Sequence, residues 1–323
     1  MVTAAYSFSH FAVDLVCAFA VFSKNAGPWD YLLYNLFAFA MQMPLGLLAD
    51  ALNKNRIFAL TGAVLAGLCC LLPSSGLFAF CVLGLGNGLF HIGGGLDVMN
   101  ISGDRASHLG IFVSPGAFGV YIGTLWGKAG GSVLPILGTL LFACAGMLLF
   151  CKPSHLHPNA PVALPKNNTL LPALLLFLVV ILRSVGGGTN FPWKTGALSF
   201  AAVCAVVLGK ALGGILCDRI GMVKTGIFSL ASCAAAFFFG NCAVAGLAGL
   251  LLFNMTMPIT LFALSRQMPE ARGFSFGILT FALFLGFLPG FFGTAAVSPP
   301  AMAALSILSC ALLVIALKAG DGV

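Results

Sequence analysis

The sequence predicts an all-α membrane protein with twelve transmembrane helices arranged as two six-helix halves. The first observation is composition: hydrophobic residues make up 60% of the 323 residues, charged residues only 7%, and the mean hydropathy is +1.08. A soluble domain needs more charged surface than this. The second is length, because twelve spans of about 20 apolar residues fill most of the chain. The third is a repeated polar segment that closes one apolar run in each half.

The repeated segment runs from Gly46 to Arg56 in the first half and from Gly214 to Lys224 in the second. Its aspartates, Asp50 and Asp218, lie 168 positions apart (218 − 50). A Pro-Trp pair recurs at a similar period, at 28–29 and 192–193, where the second span of each half is predicted to begin. Such a repeat in an apolar chain indicates two similar halves in parallel, an architecture common among transporters.

Gly, Pro, Asn and charged residues separate the apolar runs and set the predicted span boundaries. In the N-terminal half, residues 1–152, the predicted spans are 4–23, 28–49, 56–74, 76–101, 108–129 and 132–151. In the C-terminal half, residues 169–323, they are 169–188, 192–216, 224–240, 242–264, 273–294 and 299–318. Residues 153–168 are the least apolar stretch and are predicted to form an extended linker.

The distribution of basic residues orients this predicted topology, because cytoplasmic loops carry an excess of Lys and Arg. Of the fifteen Lys and Arg residues, ten fall on the side of the linker: Lys54, Arg56, Arg105, Lys152, Lys166, Arg219, Lys224, Arg266, Arg272 and Lys318. We therefore expect a multi-pass protein of the inner (plasma) membrane with both termini in the cytoplasm. The +7 net charge reflects this bias and not a nucleic-acid partner.

The eleven cysteines are scattered through apolar stretches and show neither metal-ligand spacing nor a disulfide framework. We expect no cofactor. The expected partners are protons, a small-molecule substrate and the lipid bilayer, and the chain is expected to be a monomer.

Ionisable side chains inside predicted spans are the main candidates for function, since each is costly in a bilayer and usually marks a pathway or a paired site. Asp14 lies near the middle of span one, with His10 one turn away on the same face. Burial favours the neutral carboxyl, so Asp14 is predicted to exchange a proton with help from His10. A purely structural His–Asp pair is the alternative.

The candidate substrate-binding residues are polar groups within the spans. His91 sits in the middle of span four, beside glycines that allow close approach, and a satisfied core histidine is its alternative. Lys210 and Arg183 could attract an anionic substrate, and their alternative is snorkelling toward the membrane surface. The complete predicted set is His91, Asn35, Gln42, Lys210 and Arg183.

The two repeated segments follow the pattern Gly-x-x-x-Asp-(Arg)-x-(Gly)-x-x-(Lys/Arg), which resembles the signature loop of the major facilitator superfamily. The second copy fits better, since the first has Ala51 and Asn53 where the family usually has Arg and Gly. The resemblance implies the major facilitator fold, with a midplane cavity and alternating access by rocking of the halves. It also implies gating roles for Asp50, Arg56, Asp97, Asp218 and Arg219.

Further segments resemble the fosmidomycin-resistance-type exporters, one branch of that superfamily. Residues 7–14 are similar to the opening of span one, residues 84–91 to span four, and the glycine-rich segment from Leu109 to span five. A shorter match, Leu182-Arg183-Ser184, lies in span seven. The resemblance implies proton-coupled export of a small organic compound.

Several other functions remain open at this point. One is proton-coupled uptake of an organic anion, which Lys210 and Arg183 would favour. Another is divalent-metal transport through His10, Asp14 and His91, because imidazole and carboxylate groups suit such ions. An intramembrane enzyme is not expected, since the sequence has no HExxH motif and its GxSxG match, Gly273 to Gly277, opens a predicted apolar span. A transport-inactive sensor also remains open, although the sequence shows no added signalling domain to support it.

Overall fold

The computed structural model describes residues 1–72, 76–152, 159, 169–293 and 297–320, and within these residues the chain is helical without strands. The predicted all-α class is therefore confirmed. The twelve helices, numbered here in chain order, are α1 Val2–Ser23, α2 Pro28–Leu52, α3 Asn55–Leu71, α4 Leu77–Ser102, α5 Ser107–Lys128, α6 Val133–Phe150, α7 Leu170–Gly186, α8 Gly196–Ile220, α9 Met222–Phe238, α10 Ala243–Gln267, α11 Arg272–Phe291 and α12 Pro299–Gly320.

Nine of the helices in the described part of the chain are long and apolar enough to cross a membrane. The other three, α3, α7 and α9, are also apolar but have 17 residues each. That length is about the lower limit for crossing the hydrocarbon core. A multi-pass membrane protein is thus supported, and twelve crossings remain a prediction.

Helix boundaries differ from the predicted spans at one informative place. Span eight was expected to open at Pro192, but α8 begins at Gly196, and residues 192–195 form a turn. Trp193 in this turn donates from Nε1 to the Gly240 carbonyl, 2.8 Å away, so it ties the turn to the end of α9. The predicted ends of spans three and eleven, and most of the predicted linker, lie outside the described residues.

The described residues group into two compact units. The first contains residues 1–103, 111–163 and 270–281, and the second contains 104–110, 164–269 and 282–323. Each unit therefore includes a short segment from the other half of the sequence, 270–281 in the first and 104–110 in the second. The predicted domain boundaries at 152 and 169 remain a prediction.

In the first unit, α1 is the most buried helix and packs along α5. The close approach depends on glycines of α5 spaced at helical intervals, which is the packing that a small-residue stripe favours in membranes. A Cβ at Gly123 would collide with the Leu15 carbonyl and lie 3.0 Å from Ala18 Cβ. At Gly119 it would collide with the Phe11 carbonyl. Glycine at these positions therefore brings α1 and α5 into backbone contact.

Helix α2 contains a π-helical turn at Leu36–Ala40, where the Met41 N–H bonds to the Leu36 carbonyl at 3.1 Å. The widened turn packs against a glycine of α4, since a Cβ at Gly84 would lie 2.5 Å from the Tyr34 carbonyl. Such turns often occur at functional sites. Helix α3 packs along the opposite side of α4, where Gly62 and Gly86 allow the two backbones to meet.

In the second unit, α12 packs against α7 and α9, while α10 packs against α8 and α9. The Ser184 hydroxyl of α7 donates to the Leu283 carbonyl of α11 at 2.5 Å, and Gly286 of α11 faces the same serine. A residue nearby on α7, Gly186, lies against Met302 and Phe253. The C-terminal part of α7 is therefore held by contacts to α10, α11 and α12.

The packing of α1 on α5 yields a stability prediction. We expect Gly123→Ala to lower the free energy of unfolding by about 1–3 kcal/mol, because the added methyl group would force the two backbones apart. Gly138→Ala in α6 is the matched control, since a Cβ there meets no atom within 4 Å. Thermal unfolding of both variants in detergent measures the difference. Equal melting temperatures for the two variants would contradict the proposed contact.

Candidate functional site

Two titratable side chains lie one helical turn apart on α1, as the sequence predicts. His10 Nε2 is 3.2 Å from Asp14 Oδ2, and His10 is only 5% exposed. Their apolar neighbours on the same helix, Ala12 and Val13, are completely buried. An ionisable pair in such surroundings is stable only if each charge is compensated nearby.

Helix α4 supplies two further polar side chains, which are also one turn apart. Asn87 Nδ2 donates to Asp14 Oδ1 at 3.2 Å, and His91 Nε2 lies 3.8 Å from the same oxygen. The Nε2 atoms of His91 and His10 are 2.9 Å apart. The sequence alone could not decide whether His10, Asp14 and His91 meet. They form one group, called here the His10–Asp14–His91 cluster.

The hydrogen bonds of the two rings determine which nitrogens carry protons. His10 Nδ1 lies 2.8 Å from the Phe112 carbonyl, and His91 Nδ1 lies 2.9 Å from the Asn87 carbonyl. A carbonyl oxygen can only accept, so both Nδ1 atoms must be donors. In neutral rings the two Nε2 atoms would then present only lone pairs to each other and to the Asp14 carboxylate. A proton or another cation between the rings would compensate this 2.9 Å Nε2–Nε2 contact.

The partner of His10 is created by a break in α5. The helix is interrupted at Ser114 and Pro115, and proline cannot donate a backbone hydrogen bond. Ser114 Oγ donates to the Ile111 carbonyl at 3.4 Å, while the Phe112 carbonyl accepts from His10. Directly after the break, a Cβ on Gly116 would collide with the Asp14 carboxylate. The missing N–H of Pro115 thus leaves the Ile111 carbonyl to Ser114. The Phe112 carbonyl, in the last turn before the interruption, serves His10, and Gly116 leaves space for the Asp14 carboxylate.

The cluster also has the geometry of a small cation site. One ligand atom from each of its three residues, two imidazole nitrogens and one carboxylate oxygen, lie within 4.8 Å of one another. Such a set of ligands suits Zn²⁺ and other first-row divalent ions. A proton and a divalent metal are therefore both chemically compatible with the site.

Two of the predicted substrate-binding residues use their side-chain amides within their own helix. Asn35 Nδ2 donates to the Tyr31 carbonyl at 2.8 Å. Gln42 Nε2 donates to the Ala38 carbonyl in the π-helical turn, and Gln42 is completely buried. The Gln42 side chain is therefore packed in the protein interior, where its amide N–H satisfies a carbonyl of the π-helical turn.

The two predicted basic residues belong to the second unit. Lys210 lies in α8 at a position where α8 approaches Gly110, and the residue is partly exposed. Arg183 lies in the last turn of α7. Its Nη1 atom is buried and has no hydrogen-bond partner among the described residues. It is therefore the more unusual of the two cations.

Each of the two motif aspartates accepts hydrogen bonds from N–H groups at the start of another helix. Asp50 accepts hydrogen bonds from the Gly273 and Phe274 N–H groups, at 2.8 and 2.9 Å, at the start of α11. Asp218 accepts from the Ala106 N–H at 2.6 Å and the Ser107 N–H at 3.2 Å, at the start of α5. A carboxylate at a helix N-terminus satisfies free N–H groups and interacts favourably with the helix dipole.

The remaining predicted gating residues have different surroundings. Asp97 accepts from the Tyr6 hydroxyl and from Asn55 Nδ2, which is 2.8 Å away, so it reaches the motif loop through Asn55. Arg56 Nη2 donates to the Leu148 carbonyl at 3.1 Å. Arg219, in the second copy of the motif, is exposed.

Sequence reasoning missed four polar residues that complete these sites. Asn87 is spaced one turn from His91, and this spacing was the available signal. Tyr6 lies one turn from His10 on the same face of α1. Asn55 and Asn159 gave no such signal. Asn159, from the region of the predicted linker, donates from Nδ2 to the Ala49 carbonyl at 2.7 Å and accepts from Asn100 at 2.9 Å.

Comparison with known proteins identifies the fold. The chain is similar to the crystal structure of the E. coli fucose:proton symporter FucP, with a TM-score of 0.66, 13% sequence identity, and coverage of 98% of this chain and 97% of that one. It is also similar to FucP in the outward conformation, a major facilitator superfamily transporter, with a TM-score of 0.63 and 12% identity over the same shares of the two chains. No protein-family model matches the sequence, and neither does any curated protein. The chain therefore has the major facilitator fold.

The aspartate contacts at helix starts yield a second stability prediction. We expect Asp50→Ala to lower the free energy of unfolding by about 0.5–2 kcal/mol, because two N–H groups of α11 would lose their acceptor. Asp104→Ala is the matched control, since Asp104 is 92% exposed and lies 4.0 Å from Arg266 in a surface pair. Thermal unfolding in detergent should show a lower midpoint for Asp50→Ala alone. If both variants melt like the unmodified protein, the capping role is wrong.

Proposed function

We propose that this protein is a proton-coupled secondary transporter that exports a small organic compound, and that the His10–Asp14–His91 cluster is its proton site. The observation that carries the proposal is the 2.9 Å contact between two imidazole Nε2 atoms beside a carboxylate. Such an arrangement favours a cation, and a proton held between the two rings beside the Asp14 carboxylate would compensate the contact without an additional ligand. The major facilitator fold, shared with a fucose:proton symporter, supports a transport function for that proton.

The groups around the cluster make the proton exchangeable. Asp14 contacts side chains from both α1 and α4. A small shift of one helix against the other therefore changes the groups that stabilise its negative charge. When His91 moves away, a protonated His10 and an ionised Asp14 would remain as a simple pair. When the rings meet, they share a proton. Movement of α4 against α1 would therefore couple proton binding to the transport cycle.

Asp50 and Asp218 are proposed as gating residues of this cycle. Each holds the start of a helix through two N–H groups. Breaking such a contact frees both the carboxylate and the helix terminus, so the two states differ discretely. Asp97 and Arg56 would strengthen the first contact through the motif loop, and Arg219 would serve the second copy.

The direction of transport is the finer part of the proposal. Export follows from the resemblance of spans one, four and five to fosmidomycin-resistance-type exporters. The second candidate function is uptake by symport, which is favoured by the likeness to a fucose:proton symporter. The neighbours are transporters, which favours transport over an intramembrane enzyme. We also propose a monomer in the inner membrane, with both termini in the cytoplasm.

The test uses the full chain reconstituted in vesicles that contain a lumenal pH dye. Organic anions, organic cations, neutral compounds and Mn²⁺ are added outside one at a time. Export by antiport predicts lumenal alkalinisation with at least one organic compound. Acidification would establish symport, and Mn²⁺ uptake without a pH change would assign the cluster to a metal.

Substitution of the central carboxylate tests the proposed site. We expect Asp14→Asn to abolish substrate-dependent proton movement, because the amide cannot take up or release a proton and leaves the two rings without an anion. Asp104→Asn, an exposed aspartate in a loop, is the matched control and should transport normally. Normal proton movement in a folded Asp14→Asn variant would show that the coupling site lies elsewhere.

A further inference from the structure

Arg183 is a cation with a buried guanidinium nitrogen. It lies in α7 at helical spacing from Leu176 and Val179, which are both buried, so it occupies the packed face of the helix. Its Nη1 atom is buried without a hydrogen-bond partner, and Arg183 takes part in none of the ion pairs between described residues. A guanidinium in a membrane span is costly, and most such groups are paired.

Acidic residues are rare in the half of the sequence that contains Arg183. From Arg105 to Cys217 the chain has no acidic residue, and after Asp218 it has only Glu270 and Asp321. Asp218 lies in the last turns of α8, and Glu270 precedes α11, so neither is in the middle of a helix. The described helices of the C-terminal half therefore carry no carboxylate in their interior to balance Arg183.

Two ordinary explanations account for Arg183 only in part. A snorkelling arginine extends its whole head group into water, whereas the Nη1 atom of Arg183 is buried. An arginine that caps a helix C-terminus bonds to the last carbonyls. In α7 those carbonyls are already bonded: the Gly187 N–H reaches the Arg183 and Ser184 carbonyls, and the Thr189 N–H reaches the Gly186 carbonyl.

We propose that Arg183 binds the transported compound directly, and that this compound carries an oxyanion, such as a carboxylate, phosphate or phosphonate. The guanidinium is planar, stays charged, and offers a fork of N–H donors that matches two oxygens of an oxyanion. The ligand would supply a counter-charge to the guanidinium. The residue as a whole remains partly exposed, so part of it is open to a ligand. This inference rests on the proposed transport function and defines its substrate as a small organic anion.

The test measures ligand binding to the purified full chain in detergent, without a proton gradient. Thermal unfolding is followed with inorganic phosphate, methylphosphonate, acetate, benzoate and fumarate as probes, and with benzamide as the neutral partner of benzoate. The variants are Arg183→Gln, Arg183→Lys and the matched control Lys194→Gln, an exposed lysine that follows α7.

We expect at least one anion to raise the melting temperature of the unmodified protein and of Lys194→Gln by about 2–4 °C near saturation. Arg183→Gln should lose this shift, Arg183→Lys should keep a smaller one, and benzamide should give none. Arg183→Gln should also melt above the unmodified protein when no ligand is present, because an uncompensated charge has been removed.

Three outcomes would overturn the proposal: no shift with any anion, an equal shift in Arg183→Gln, or a ligand-free Arg183→Gln that is less stable than Lys194→Gln. The last result would indicate a structural role for the arginine. Because the assay needs neither vesicles nor a pH gradient, its failure is distinct from a failure of proton coupling. A protein that binds the anion but moves no protons would retain this inference and lose the proposed coupling.

Discussion

Two imidazole nitrogens that face each other beside a carboxylate are the constraint on which the functional account depends. Each ring has its Nδ1 atom at hydrogen-bond distance from a backbone carbonyl, so a cation between the two Nε2 atoms would compensate their contact. The surrounding structure positions these groups. Glycines of α5 bring that helix against α1, the Phe112 carbonyl before the interruption of α5 faces His10, and Gly116 leaves room at Asp14.

The two halves of the sequence differ in the charged residues that their helices carry. In the described part of the N-terminal half, Asp14 lies near the middle of α1 and forms a cluster with His10 and His91. In the described part of the C-terminal half, Asp218 lies in the last turns of α8, and Arg183 of α7 has a buried Nη1 atom without a hydrogen-bond partner. A proton site and an anion site on different halves are what a carrier needs if a proton and an organic anion share one transport cycle. At helix starts the halves are alike, since Asp50 and Asp218 cap helices in the same way.

Sequence reasoning succeeded where one helix decides the geometry. The His10–Asp14 pair follows from i,i+4 spacing, and the fold class follows from hydropathy and the repeat. Sequence reasoning was less informative where the packing of two helices determines which side chains meet. That Asn87 and His91 reach Asp14 depends on how α4 faces α1, and the use of Gln42 within its own helix depends on a π-helical turn. The predicted start of α8 was four residues too early, because Trp193 lies in a turn, where it is bonded to the Gly240 carbonyl.

A ¹⁵N NMR spectrum of the histidine-labelled protein at neutral pH tests the shared proton, with His10→Asn and His91→Asn used for assignment. We expect protonated Nδ1 atoms on both rings and a single proton shared between the two Nε2 atoms. Asp14→Asn should alter the shared proton and leave both Nδ1 signals in place. An unprotonated Nδ1 on either ring, or two neutral rings that do not sense each other, would show that the rings share no proton.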